Sequence, residues 1–311
     1  MKPDFDEKTK VDFIDNTTPH TTNNIQERRL QVMADGCLKY ARVINKQKHM
    51  KRDKDTIINY YDDNTQSIYC RVAKAANTSW KRTMLLLSGK FTKYRNPEQI
   101  SPSAAMQNLK SLQDLPQSGK DFRMKKYFKF VFVREPLERL LSAYRCVFID
   151  APYPKLDIEI VRKYRPHDYK PSVKRYNITL AEFVRYILDQ DAAGHVLNRH
   201  WIPQNRQCPV CDPQFDFIGH YETLHKDAEF VVSKLKSRIH NKQLRQRVDR
   251  ITFPAHSGHS NKTNVFLKQM YSTVPMTDIQ ALYNLYAIDY ELFGYEHPIN
   301  TEVQSFYIGS I

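Results

Sequence analysis

The chain has 311 residues and a formal net charge of +14, from 48 Lys and Arg against 34 Asp and Glu. With 41% hydrophobic and 12% aromatic residues but only 8 Gly and 16 Pro, it is neither a disordered nor a fibrous chain. Its length fits one elaborated domain or two small ones, and its charge points to some polyanion: nucleic acid, acidic polysaccharide, phosphorylated cofactor or anionic membrane.

Residues 1–24 read as a polar, flexible tail without the apolar stretch of a signal peptide, and no later run approaches the length of a membrane span. From Ile25 to Lys48 the spacing of Ile25, Leu30, Met33, Leu38 and Ala41 predicts an amphipathic basic helix. Ser67 to Val72 predicts a short strand, and Thr78 or Ser79 is expected to cap a helix from Trp80 to Leu87 that Gly89 stops. Residues 97–120 are weakly helical. The run Tyr127 to Val133 has the nearly continuous apolar character of a central strand buried on both faces. It ends at Arg134-Glu135, and Pro136 then fits the first turn of a helix carrying Leu137, Leu140, Leu141 and Tyr144.

Two strand–loop–helix units predict an α/β fold, a single domain with a central parallel sheet flanked by helices. Further helices are expected at about 156–165, 179–189, 223–238 and 277–292, with a strand from Phe215 to Gly219. The segment around Pro152-Tyr153-Pro154 and the basic 162–175 stretch read as an insertion on that scaffold.

Five cysteines, Cys37, Cys70, Cys146, Cys208 and Cys211, leave at least one unpaired within a monomer. Cys208-x-x-Cys211 has zinc-like spacing, but no second ligand pair lies at finger distance, so a disulfide or a short-range structural pair is the better reading. His256-x-x-His259 lacks a neighbouring carboxylate, and no metal is expected. Sequons at Asn16, Asn77, Asn177 and Asn261 establish no compartment.

Two segments carry chemistry. The first runs from Arg71 to Arg82 and joins a strand to its helix: small residues Ala73, Ala75 and Ala76, the cation Lys74, then Asn77, Thr78 and Ser79 at the helix start. Open backbone amides, a helix N-terminus, a cation and hydroxyls are what an anionic phosphate requires. The nucleotide-triphosphate P-loop pattern is absent, which disfavours a P-loop kinase. The second segment is Arg134-Glu135-Pro136-Leu137-Glu138-Arg139-Leu140-Leu141-Ser142, in which Arg134 stands at the sheet edge where ligands of open α/β folds collect.

Together these segments resemble the 5′-phosphosulfate and 3′-phosphate motifs of sulfotransferases that use 3′-phosphoadenosine 5′-phosphosulfate. Lys74 to Arg82 and Lys129 to Arg145 are similar, more narrowly, to the Golgi carbohydrate sulfotransferases that make 4-O-sulfated chondroitin and dermatan. His200-Trp201-Ile202-Pro203, Cys208 to Cys211, Asp216 to Leu224 and Tyr290 to Tyr295 follow in family order. The chain departs from the family in having Ala73 where Pro is usual, Asn77 where Cys is usual, and no visible N-terminal anchor.

The resemblance implies a P-loop-like sulfotransferase fold over residues 25–311, a Golgi-lumenal membrane glycoprotein, and sulfuryl transfer to a glycosaminoglycan hydroxyl, GalNAc 4-O of chondroitin or dermatan. In that reading residues 73–79 hold the 5′-phosphosulfate, with Lys74 also catalytic, and residues 134–142 hold the 3′-phosphate through Arg134 and Ser142. His200 is the first choice as general base, with Trp201 beside it to stack on a sugar and Glu135 and Glu222 as alternatives. The competing reading is a catalytically silent heparin- or nucleic-acid-binding protein on the same scaffold. No nucleic-acid motif accompanies the charge.

Overall fold

A computed structural model describes residues 19–48, 56–91, 93–150, 152–212, 214–254 and 267–296. His256, His259, Asn16 and Asn261 lie outside the described residues.

Helices α1 (Pro19–Lys39) and α2 (Ala41–Lys48) occupy the segment predicted as one basic helix, and α1 begins inside the stretch read as a tail. Strands β1 (Asn59–Asp62) and β2 (Ser67–Cys70) form an antiparallel hairpin, and α3 (Asn77–Leu87) follows the second. The weakly helical region contains α4 (Pro102–Asn108), β3 (Lys110–Ser111) and α5 (Gln117–Lys126). Then come β4 (Phe128–Val133) and α6 (Pro136–Tyr144), which Arg145–Asp150 extends as π-helix. The remaining elements are α7 (Pro154–Tyr164), α8 (Leu180–Ala192), the single turn α9 (Gln204–Gln207), β5 (Phe217–His220), α10 (Leu224–Ser237), α11 (Lys242–Val248) and α12 (Met276–Phe293).

The sheet order is β3-β1-β2-β4-β5. Its functional half, β2-β4-β5, is parallel as predicted; β1 is the one strand that runs against the others, pairing antiparallel with β2 and β3. Every residue of β4 is buried because the strand has a neighbour on each side and helices on both faces. Its side chains alternate with period two. Phe128, Phe130 and Phe132 join Trp80 of α3 and Leu224, Val231 and Leu235 of α10 on one face, while Val131 and Val133 meet Met33 of α1 and Leu292 and Phe293 of α12 on the other. Gly219 of β5 pairs with Phe132, and a Cβ there would come within 2.3 Å of the Phe132 ring. A side chain at 219 would therefore push the central strands apart.

The Pro154 segment is not an appendage. Leu156, Ile160 and Val161 of α7 share a buried cluster with Phe183, Val184 and Ile187 of α8 and Tyr283 and Tyr286 of α12. Half of the Lys and Arg residues in the 162–175 stretch are ion-paired: Lys163 with Asp189, Arg165 with Glu182, and Arg175 with the fully buried Asp157. No helix among the described residues is long and apolar enough to cross a membrane.

Cys208 and Cys211 do not bond to each other. Cys211 bridges to Cys37 of α1 and Cys208 to Cys70 at the end of β2, leaving Cys146 as the free thiol. The short loop thus staples α1 and the sheet from behind the β2–α3 connection, closing loops of 174 and 138 residues that an unfolded chain would leave open.

Candidate functional site

A cleft of about 730 Å³ opens where β2 and β4 end, and it brings the two predicted segments together. Ala73, Lys74, Ala76, Asn77, Thr78, Ser79 and Arg82 line it from the first, Arg134 and Ser142 from the second, and His200 from a separate loop. The sheet register explains the meeting: β2 and β4 are parallel neighbours, roughly 5 Å apart, so their outgoing loops emerge side by side.

In the first loop Lys74 and Ala76 both adopt left-handed backbone, with φ of 69° and 56°. Residues with a Cβ rarely do so, and such strain collects at ligand sites. Ala76 is the N-cap of α3 and offers no side-chain acceptor. Thr78 and Ser79 are therefore not caps, as the sequence predicted, but first-turn residues lining the cleft. The opening amides of α3 and its positive dipole end are left for an incoming anion. Ala75 is wholly buried and does not line the cleft.

The second segment divides differently. Arg134 is buried, pairs with Glu138 at 3.3 Å and lies 4.1 Å from the Tyr221 ring centroid. Its backbone is held at both ends by Gln204, which accepts from the Arg134 amide at 3.0 Å and donates to its carbonyl at 2.8 Å. Glu135 caps α6: its carboxylate accepts from the Glu138 amide at 2.6 Å and from the Tyr290 hydroxyl at 2.5 Å. Burial raises its pKa to about 7.

Pro136, Leu137, Leu140 and Leu141 are buried, with the three leucines in the α7–α8 cluster, so they carry the helix rather than touch a ligand. Arg139 is fully buried too, donating to the carbonyls of His200 and Ile202. It supports the His200 loop and does not face the cleft. Ser142, two turns along, does reach it, and the π-helical turn brings Cys146 in beside it.

His200 has a buried Nδ1 with no partner among the described residues. Burial first, then the charges of Arg199, Lys74, Arg139 and Arg71, lowers its pKa to about 4. It is thus neutral at pH 7, the form that accepts a proton. Trp201 is not available to stack on a sugar: it is 5% exposed and packs edge-on against Phe183 at 5.1 Å. Glu222 accepts from the Glu135 amide and from the Tyr295 hydroxyl, so both alternative carboxylates already serve backbone and tyrosine donors.

The supports of the site leave almost no trace in the sequence pattern. Gln204 and Gln207 are wholly buried; Gln207 accepts from the Ala73 amide and donates to the Arg199 carbonyl. Asp289 of α12 accepts from the amides of Gln204 and Asn205, holding α9 in place. Buried amide side chains have no periodic signature; only their fall between Pro203 and Cys208 hinted at them. Tyr221, Glu98 and Pro254 also line the cleft.

The donor set suits a ligand with two anionic groups: open helix amides, a lysine and hydroxyls on one wall, a guanidinium and a hydroxyl on the other. The chain matches the sulfotransferase family over residues 58–296. It is 34% identical to carbohydrate sulfotransferase 14 of Danio rerio over 77% of this chain and 62% of that protein. It is 30% identical to human carbohydrate sulfotransferase 9 over 89% of this chain and 61% of that one. Carbohydrate sulfotransferase 11 of Danio rerio is 32% identical over 78% and 68%. The chain thus spans about three-fifths of the length of the first two. No solved structure matches it at a significant level.

Proposed function

The chain belongs to the sulfotransferase family, and from that premise we propose that it transfers a sulfuryl group from 3′-phosphoadenosine 5′-phosphosulfate to a sugar hydroxyl of a glycosaminoglycan. The observation that carries the reading is the convergence of Lys74, the uncapped α3 N-terminus, Arg134, Ser142 and a neutral His200 on one cleft. The acceptor position we favour is GalNAc 4-O of chondroitin or dermatan, by similarity to the carbohydrate sulfotransferases. Residues 25–311 form the transferase domain in this reading. Two disulfides across long loops persist in an oxidising compartment, which supports a Golgi-lumenal setting.

The nucleotide supplies the activated sulfuryl group; the chain supplies position and charge. Lys74, the hydroxyls of Thr78 and Ser79 and the α3 amides hold the 5′-phosphosulfate and stabilise negative charge growing on the leaving oxygen. Arg134 and Ser142 take the 3′-phosphate. Neutral His200 accepts the proton of the attacking hydroxyl; the surrounding cations hold it unprotonated before the step and oppose the charge it then gains.

The deciding experiment is incubation with sulfur-labelled nucleotide and a panel of desulfated chondroitin, dermatan and heparan. Label is expected in chondroitin or dermatan, at the 4-hydroxyl of GalNAc. Label in none of the three would overturn the transferase reading, and label only in heparan would overturn the acceptor.

A further inference from the structure

A second cavity, of about 410 Å³, opens at the end of α3 opposite the anion loop. Its size is that of a small-molecule site. The buried Leu86 and Ile251 and the rings of Phe91 and Tyr94, stacked at 6.0 Å, supply its apolar lining. Three cations complete it: Arg95 from the loop after α3, Arg247 from α11, and Arg250 just beyond that helix. No carboxylate lines it.

Gly89 shapes this corner. It ends α3 with φ of 76°, and a Cβ there would lie 2.6 Å from the Leu244 side chain. Glycine thus lets α11 close on the end of α3, and Arg247 follows Leu244 by about one turn on the same side of α11. All three arginines are exposed, and no guanidinium among them has a hydrogen bond or ion pair to another described residue. Like charges gathered in one hollow repel each other until an anion joins them.

The cavity borders the catalytic cleft along three segments. On α3, Arg82 lines the cleft and Leu86, one turn later, lines the cavity. The same division separates Glu98 from Arg95 and Pro254 from Ile251. A ligand longer than the cleft can therefore continue into the cavity. Glu98, the single carboxylate among the lining residues, stands on the cleft side of that border, so the arginines are the place for an anionic group. Planar guanidiniums match carboxylate and sulfate groups, and the rings beside them offer an apolar face to a sugar. Phe91 and Tyr94 stack on each other and are not splayed as successive platforms for nucleic-acid bases.

We propose that Arg95, Arg247 and Arg250 form an exosite for acidic groups of the acceptor polysaccharide, away from the reacting hydroxyl, so that long acidic chains are preferred to short ones. This rests on the transferase reading of the cleft and adds a chain-length preference to it.

The test uses the full chain and a variant combining Arg95→Ala, Arg247→Ala and Arg250→Ala, with desulfated chondroitin offered as long polymer and as tetrasaccharide. The wild-type protein is expected to prefer the polymer in kcat/KM. The triple variant should raise KM for the polymer about ten-fold. Its kcat/KM for the tetrasaccharide and its affinity for adenosine 3′,5′-bisphosphate should change by less than about two-fold. Should the triple variant not fold, Arg95→Ala and Arg250→Ala are assayed singly, each expected to raise KM for the polymer about two-fold.

An unchanged KM for the polymer would overturn the exosite. Equal losses on polymer and tetrasaccharide would do the same, as would a parallel fall in nucleotide affinity, since the arginines would then serve the cleft. If the wild-type chain transfers sulfate to neither acceptor, the transferase reading fails by itself. Calorimetry on the nucleotide-loaded protein then decides the exosite: polymer binding that weakens in the variant, and that carboxyl-reduced polymer does not show, supports it. Equal binding by both proteins ends it. A single-stranded oligonucleotide that binds more tightly than the polymer, and only to the wild-type chain, would assign the arginines to nucleic acid instead.

Discussion

The β2–α3 and β4–α6 connections leave adjacent parallel strands and open on the same cleft, yet they begin their helices in opposite ways. Helix α3 starts from a left-handed Ala76 with no side-chain cap, whereas α6 starts from Glu135, whose carboxylate accepts from the Glu138 amide at 2.6 Å. The first loop therefore presents the helix dipole and its amides to an anion. The second has spent that end on its own carboxylate, which would repel a phosphate. What it offers is carried by side chains: the guanidinium of Arg134, held over the Tyr221 ring, and the hydroxyl of Ser142. In the proposed reaction the first connection would meet the charge that develops at the leaving group and the second would hold charge that is merely bound.

That contrast breaks most visibly at Lys74. Lys74→Ala is expected to lower kcat by about 10³-fold with circular dichroism unchanged, since in the proposed reaction it removes a cation from the leaving-group side. A loss confined to nucleotide affinity would show that the first loop binds as passively as the second. Next comes the proposed base: His200→Ala should cost about 10²-fold.

In the wild-type chain the acid limb of kcat/KM should lie near pH 4, where the free-enzyme imidazole protonates, rather than near the ordinary histidine value. The same depression, together with His220 lowered to about 3 by burial, makes the unfolded chain bind protons first as pH falls below about 6.5. Stability present above that value is then lost as pH falls towards 4, so the limb must be read where the fold is intact. A limb at about 6.5 with full circular dichroism would assign the base to another group.

Much of this arrangement was legible in the sequence because it follows chain-local rules. The run Phe128 to Val133 announces a doubly buried strand, Pro136 a helix start, and Lys74 with Arg134 two strand ends that can take anions. What stayed hidden depends on chain partners far apart in sequence. Nothing near Ala76 announces a left-handed cap, and the loop that contains it is tied at the Ala73 amide to Gln207, far away in sequence. Hydroxyls at Thr78 and Ser79 look like caps until the helix is seen to start at Asn77. Cys208 and Cys211 suggest a pair by proximity, while their true partners lie on α1 and β2. Arg139 falls in the segment read as holding the 3′-phosphate and is instead the buried post under the His200 loop.

Arg134→Ala sharpens the passive side of the comparison. It should weaken binding of adenosine 3′,5′-bisphosphate about 30-fold and leave adenosine 5′-phosphate nearly untouched, because only the 3′-phosphate is lost from the contact. Equal weakening of both nucleotides would place the guanidinium elsewhere on the ligand. Glu135→Ala tests the closed helix end. It should destabilise the fold by about 1–2 kcal/mol through loss of the cap. Since the folded carboxyl titrates at about 7, above its unfolded value, its stabilisation is present at low pH and lost as pH rises through that range. The penalty of the variant should therefore be larger at pH 5 than at pH 8 in chemical denaturation.

The smallest effect concerns the entry to the first loop, where the resembling family usually has proline and this chain has Ala73. Proline at a compatible position stabilises by about 0.4–1 kcal/mol by limiting the unfolded chain. Here, however, the Ala73 amide donates to the wholly buried Gln207, whose other end holds the Arg199 carbonyl. Proline has no N–H to give, and a buried acceptor left unsatisfied costs about 1–3 kcal/mol. Ala73→Pro should therefore lower stability by roughly 1 kcal/mol, the difference between these opposing terms. It should also loosen the Arg199–His200 corner, seen as a higher acceptor KM with little change in kcat. A stabilised variant with unchanged KM would mean that Gln207 finds another donor and that the strut between the two loops is dispensable. The combination of lower stability and a raised KM would instead tie this chain's departure from the family pattern to the position of His200.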